Sequence, residues 1–392
     1  MASDGPLTGL RILDLSSVVL GPMTAQYLGD MGADVIKIEP PEGDVTRLIG
    51  PRRSEKMGAL YLANNRNKRS VVLDLKRSDA QAALRKLVER SDVLLHSIRS
   101  PAAARLGLDY GSLAALNPRL IFCHLLGFSD SGLYAGRAAY DDIVQALAGL
   151  AMLQKASAGE PRYIPSILAD KTTAVHAAYA IMLALFARER SGRGQRVGVP
   201  MFETMVAFTS AEHLGGCVFD PPVGEMGYAP VRQGMRRPFK TKDGYLCFMP
   251  YTDEHWRRFL GLIDAPEIAG DPRYMTMKGR QANIEMVWAE VGRQLTRRTN
   301  AEWLALIGET DIPFAVLNEL EDLLTDPHLE SIGFWNRMQH ETEGMLRLPS
   351  NPIEMSATPP SIRRLPPRLG EHTAEVLAEC GYDAAEIEAL AI

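Results

Sequence analysis

Between residues 10 and 126, short apolar runs alternate with stretches of helical periodicity. Arg11-Ile-Leu-Asp-Leu-Ser16 reads as a strand, and Gly21-Pro22 breaks it. Met23 to Met31 has helical spacing and is closed by Gly32, which takes a left-handed cap without steric penalty. Asp34–Glu39, Ser70–Leu75, Asp92–Ile98 and Arg119–Leu126 read as further strands, and Ser78 to Arg90 as an amphipathic helix. This alternation predicts an α/β fold with a parallel sheet covered on both faces. Such sheets bind ligands at the C-terminal ends of their strands. Two helices follow, from about Tyr140 to Leu153 and from about Asp170 to Arg190. Ser191-Gly-Arg-Gly-Gln195 ends the second, and Arg196–Pro200 looks like a returning strand.

The pattern loosens from about residue 215, where Pro221-Pro222, Gly224, Gly227 and Pro230 suggest a linker. Residues 238 to about 325 then carry a short strand, Tyr245–Met249, and helices near 253–263, 284–297 and 300–309. These form a candidate second, α+β domain, as expected for a chain of 392 residues. A proline-rich stretch over 345–370 reads as an extended return to the first domain, and Thr373 to Ala391 as a final amphipathic helix.

Composition narrows the function. A net charge of −5 argues against nucleic-acid binding by bulk charge. Cys123, Cys217, Cys247 and Cys380 stand too far apart for a metal motif and show no disulfide framework. The N-terminus lacks the basic and apolar regions of a signal peptide, and the most apolar stretch, Ala174–Ala187, is too short to span a bilayer. The expectation is a cytoplasmic protein without nucleic-acid or membrane partners.

Several residues are candidates for chemistry. The first turn, Val18-Val-Leu-Gly-Pro22, has one glycine where a dinucleotide fingerprint needs three, which argues against a nicotinamide site. Asn64-Asn-Arg-Asn-Lys-Arg69, Lys76, Arg99 and Arg105 place cations in loops, as a phosphate-binding rim or as a solvated basic surface. Asp170 opens a long apolar helix, either as its N-cap or as a carboxylate nucleophile beside the helix dipole. No Gly-x-Ser-x-Gly elbow is present, and the eight histidines include no HxH or HxxxH pair, so no metal is expected.

Taken in order, these segments resemble the family III CoA-transferases (CaiB/BaiF family), which include formyl-CoA transferase and carnitine CoA-transferase. The resemblance rests on Leu7-Thr-Gly-Leu-Arg-Ile-Leu-Asp-Leu15, Gly21-Pro22, Gly32-Ala-Asp-Val-Ile-Lys-Ile-Glu-Pro40, and Gly43-Asp44 with Arg47. Asn67 to Lys76, Arg105-Leu-Gly107, Leu116-Asn-Pro-Arg119 and Gly127-Phe128 continue it. Ala169-Asp170 with Gly192-Arg-Gly-Gln195, and Leu369-Gly-Glu-His-Thr373 with Gly381-Tyr382, complete it. It implies a Rossmann-like large domain made from both chain ends (1–215 and 326–392), a small domain (235–325) and an interlocked homodimer. It implies transfer of CoA between carboxylic acids with Asp170 as nucleophile, through an aspartyl-CoA thioester and without a metal. The implied CoA contacts are Lys76 and Arg105 at the phosphates, Val18, Val19 and Leu20 beside the pantetheine, and Leu73, Ser97, Ile98, Leu106, Ala138, Tyr140 and Met201.

The chain also departs from the family pattern. His96-Ser-Ile98 replaces a common Glu-Asn-Phe, Val19 stands where formyl-CoA transferase has glutamine, and Gln233-Gly-Met-Arg-Arg-Pro238 is not a glycine-rich loop. These departures point away from oxalate and formate. Arg236 and Arg237 suit the second carboxylate of a dicarboxylic acid, such as that of succinyl-CoA, or else form a basic linker surface. A racemase of the same fold is the nearest rival; it needs a histidine where Tyr140 stands, and a tyrosine of pKa about 10 is a weak base at neutral pH. A non-catalytic CoA-binding protein is the rival from another class.

Overall fold

The computed structural model describes residues 5–263 and 265–390. Two compact units emerge. The first comprises residues 1–151, 163–211 and 330–392; the second comprises 152–162 and 212–329.

The first unit holds a six-stranded sheet of β1 (Arg11–Leu15), β2 (Asp34–Glu39), β3 (Lys68–Val72), β4 (Val93–His96), β5 (Ile121–Leu126) and β6 (Arg196–Pro200). All neighbours are parallel, in the order β3-β2-β1-β4-β5-β6. The order in which strands are added reverses between β1 and β4, where Leu15 lies opposite His96. That is the topological switch point, where a crevice opens beyond the strand ends. On one face, Leu13, Ile36, Val71, Leu94 and Phe122 pack with Ala83, Leu84 and Leu87 of the Ser78–Glu89 helix. Val376 and Leu377 of the Thr373–Glu379 helix join that core, so the C-terminal segment completes the first unit. The Leu20–Asp30 and Leu168–Ser191 helices pack against each other.

The second unit has a small antiparallel sheet of β7 (Phe239–Lys240), β8 (Tyr245–Phe248) and β9 (Phe314–Val316). Its core gathers Phe248, Phe259, Leu295 and the fully buried Trp303, whose Nε1 donates to Leu295 O at 2.8 Å. Back in the first unit, β10 (Trp335–His340) and β11 (Gly344–Pro349) form a hairpin, followed by an extended stretch up to Gly370.

Some elements differ from the sequence reading. Strand β3 starts at Lys68 rather than Ser70. Its first residues are polar yet buried because each is paired: Lys68 with Asp14, and Ser70 through its hydroxyl with Glu39. Gly21-Pro22 does not precede the first helix but lies in its first turn, where proline's missing N–H is not needed. The helix expected from Tyr140 is two, Asp141–Leu147 and Leu150–Ala158, divided at Gly149 with φ +81. The C-terminal helix is likewise divided at Gly381, with φ +83, into Thr373–Glu379 and Ala384–Leu390. Ala391, its expected last residue, lies outside the described residues. Among the described residues no helix is long and apolar enough to cross a membrane.

Candidate active site

The 24-residue helix Leu168–Ser191 begins under the switch point, and its N-cap residue Ile167 offers no side-chain cap. Asp170 is the third residue of this helix rather than its cap. The capping carboxylate belongs to Asp141, at the start of the Asp141–Leu147 helix. Asp141 Oδ1 accepts from Ala169 N at 2.6 Å and from Asp170 N at 3.3 Å. Gln145 Nε2 donates to Asp141 Oδ2 at 2.6 Å, and Gln145 Oε1 accepts from Ile164 N at 2.9 Å. A partly exposed Asp141 and a fully buried Gln145 therefore set the start of the long helix, and the Asp170 side chain is left free of capping.

The Asp170 carboxylate turns toward a second helix start. Its Oδ1 accepts from Leu20 N at 3.3 Å. Leu20 is the first residue of the Leu20–Asp30 helix, whose dipole favours negative charge at that end. Thr24 ties the two helices together, its hydroxyl reaching Leu20 O at 2.8 Å and Ala174 O at 3.3 Å. Gly21 permits the close approach of the first helix to the end of β1, since a Cβ there would stand 2.1 Å from Ser16 Cβ. Val18, just before, holds φ +71, a left-handed conformation that a β-branched residue rarely adopts.

Asp170 is 9% exposed, and among the described residues no cation pairs with it. Burial pushes its carboxyl up to about 6, the charge of Asp141 adds to the rise, and the Leu20 N–H opposes it. A carboxylate so placed is ionised at neutral pH, poorly solvated and unpaired, which are the properties of a poised nucleophile.

The other expected site residues fall into three groups. Val18, Val19 and Leu20 form the turn after β1, with Val19 and Leu20 buried. Ser97 and Ile98 follow β4 across the switch point, where Ser97 Oγ accepts from Ser17 N at 3.4 Å and Ile98 O lies 2.9 Å from His124 Nε2. Beneath them His96 is fully buried and stacked on His124 at 4.2 Å, and burial pushes its pKa down to about 3.

Lys76 and Arg105 are both exposed. Gln81 Nε2 donates to Leu75 O at 2.8 Å, next to Lys76 in the chain. Leu106 packs against the same core that buries Leu73. Leu73 has its side chain buried and its N–H on Glu39 O at 2.9 Å.

Ala138 and Tyr140 are exposed just before the Asp141 helix, and Met201 is buried directly after β6. Arg236 and Arg237 are exposed in the second unit.

One group does not belong to the rim. The Asn64–Arg69 segment lies at the start of β3, the sheet end opposite Lys76, and its cations are consumed internally. Arg66 pairs with Asp30, Lys68 with Asp14, and Arg69 with Asp34 and Glu379. These basic residues build the fold instead of binding phosphate. A cavity of about 660 Å³ at the Asp30 end of the Leu20–Asp30 helix, lined by Asn336, Asn351 and Glu354 among others, includes none of the residues around Asp170.

The sequence model of CoA-transferase family III matches residues 7–373. The chain belongs to that family. Succinate–glutarate CoA-transferase of Agrobacterium fabrum is 35% identical over 383 residues, covering 95% of each chain. Acetyl-CoA:oxalate CoA-transferase of Acetobacter aceti is 33% identical over 386 residues, covering 96% of each. The crystal structure of a CaiB/BaiF family protein from Brucella suis matches with a TM-score of 0.84 and 30% identity, covering 96% of this chain and 100% of that one. As a family III CoA-transferase, the chain is an enzyme that moves CoA between carboxylic acids, with an acyl-CoA and a carboxylate as substrates. In this family III chain, Asp141, Gln145 and the Leu20 N–H are the site groups the sequence reading missed. An aspartate at a helix start with glutamine four residues on was the available signal for the first two, and it recurs too freely in sequences to single out a site.

Proposed function

We propose that Asp170 carries the CoA group covalently, with a dicarboxylyl-CoA such as succinyl-CoA as donor. The supporting observation is the buried Asp170 carboxylate, unpaired by any described cation and aimed at the Leu20 N–H. A carboxylate oxygen attacks the thioester carbonyl, forming a mixed anhydride and expelling the CoA thiolate. The thiolate attacks the aspartyl carbonyl, giving the aspartyl-CoA thioester and releasing the first acid as its carboxylate. The acceptor carboxylate attacks that thioester and re-forms an anhydride, and the thiolate then takes the new acyl group and frees Asp170. Each attack splits one hard displacement into easier ones and consumes no net proton. The Leu20 N–H is positioned to donate to the oxyanion that develops on the aspartyl carbonyl.

Lys76 and Arg105 hold the CoA phosphates in this reading, while the Val18–Leu20 turn, Ser97, Ile98 and Leu106 line the pantetheine path. Ala138, Tyr140 and Met201 complete the CoA contacts. The dicarboxylic donor is supported by the succinate–glutarate relative at 35% identity. The reading includes a homodimer. Val175, Tyr179, Leu183 and Phe186 support it: they form one exposed apolar stripe on the long helix, opposite its buried face of Ala174, Ala177, Ile181 and Ala184. It also places the enzyme in the cytoplasm, in keeping with four free cysteines.

Intact-mass analysis after mixing with succinyl-CoA tests the covalent step, with Asp170→Asn in parallel. An adduct of CoA mass, mapped to the Asp170 peptide and removed by hydroxylamine, is expected in the wild type alone. Turnover of an acyl-CoA panel with no adduct at Asp170 would overturn the nucleophile.

A further inference from the structure

Four charged side chains lie beneath the turn that carries the Leu20 N–H, each 1% exposed or less. Lys68 Nζ pairs with Asp14 Oδ2 at 2.9 Å, and Lys37 Nζ with Asp44 Oδ2 at 3.0 Å. Each pair also grips the backbone of the turn. Lys37 Nζ donates to Ser16 O at 2.9 Å, and Lys68 Nζ donates to Pro22 O at 2.8 Å. Asp14 Oδ1 accepts from Ser16 N at 3.0 Å, and Asp44 Oδ1 from Val18 N at 3.3 Å. The turn is thus tied at Ser16, Val18 and Pro22, on both sides of Leu20. The strained φ of +71 at Val18 persists only where surrounding groups over-determine it.

We propose that the ion pairs Asp14–Lys68 and Lys37–Asp44 are positioning groups for catalysis, holding the Ser16–Pro22 turn so that the Leu20 N–H stays on the Asp170 carboxylate. The inference rests on Asp170 being the nucleophile. Buried ion pairs are a poor means of adding stability, because apolar residues of similar volume often serve as well or better. Here they supply directed bonds to four backbone atoms of three residues, which apolar packing does not.

The test is the charge-neutral double variant Asp14→Leu/Lys68→Met, with kcat, KM and the pH profile of kcat/KM measured beside thermal melting. We expect a folded enzyme whose kcat falls at least tenfold while KM for the acyl-CoA changes less than twofold. Losing the Leu20 N–H should also move the acid limb of the profile to higher pH, a shift the removal of a neutral pair does not itself impose. A folded double variant with wild-type kcat and an unmoved limb overturns the proposal. If the double variant does not fold, Asp44→Asn decides in the same way. There the lost negative charge would by itself lower the acid limb, so a rise supports the positioning role and a fall overturns it. Adduct mapping on the wild type separates the two readings. No CoA adduct at Asp170 removes the nucleophile, whereas an adduct with an unaffected double variant removes only the positioning role.

Discussion

Asp14 and Asp170 are both buried carboxylates near the same strand end, and their surroundings push them in opposite directions. Burial alone would raise Asp14, but Lys68 and Lys37 outweigh it and hold its carboxyl below the ordinary range. Burial raises Asp170 to about 6, and the charge of a second carboxylate, Asp141, adds to the rise. The charge of the floor is compensated by lysines, while the Asp170 carboxylate keeps its charge without a paired cation among the described residues, as the proposed nucleophile requires. The contrast shows where this protein tolerates instability. Lys68 is pulled down to about 8 by burial even with Asp14 beside it, so the floor too is held at some cost.

The largest expected effect comes from Asp170→Asn, which should cut turnover by at least ~1,000-fold. The same change sharpens the contrast in stability. Because the folded-state pKa of Asp170 lies above the unfolded value, its ionisation costs stability at pH above about 6. Below about 4, where both states hold the proton, that cost vanishes. Asp170→Asn should therefore stabilise the protein by roughly 2–3 kcal/mol at pH 7.5 and progressively less toward pH 4, as read by denaturant unfolding.

Lys37→Met should do the reverse, leaving Asp44 unpaired and destabilising by about 3–5 kcal/mol in the same measurement. Gly21→Ala should cost roughly 1–3 kcal/mol, because its methyl would collide with Ser16, and should lower kcat with it. The smallest effect is expected from Asp141→Asn. Removing that charge should shift the acid limb of kcat/KM below its wild-type position, toward the ordinary carboxylate range. An upward shift would mean that Asp141 acts on Asp170 mainly as a helix cap.

Much of this site was legible in local pattern. Asp170, the Val18–Leu20 turn and the parallel sheet follow from short-range spacing and from the ordered motifs of the family. The Asn64–Arg69 segment shows where such reading stops. Its basic composition suggests a phosphate-binding rim, yet Arg66, Lys68 and Arg69 are buried, because Asp30, Asp14 and Asp34 meet them from 35 or more residues away. Whether a lysine is a ligand or a strut depends on which acids the fold brings beside it.

By itself, then, the sequence determined the strand–helix alternation, since hydrophobic period and helix signals are set by neighbours along the chain, while its ordered family motifs singled out Asp170. Only the tertiary structure decided that Asp141 rather than Asp170 caps the long helix, and that the Leu20 N–H faces the Asp170 carboxylate from 150 positions earlier in the chain. The same holds for the buried lysines that clamp the turn. These are long-range pairings of polar groups removed from water, and their partners are chosen by packing rather than by spacing in the chain.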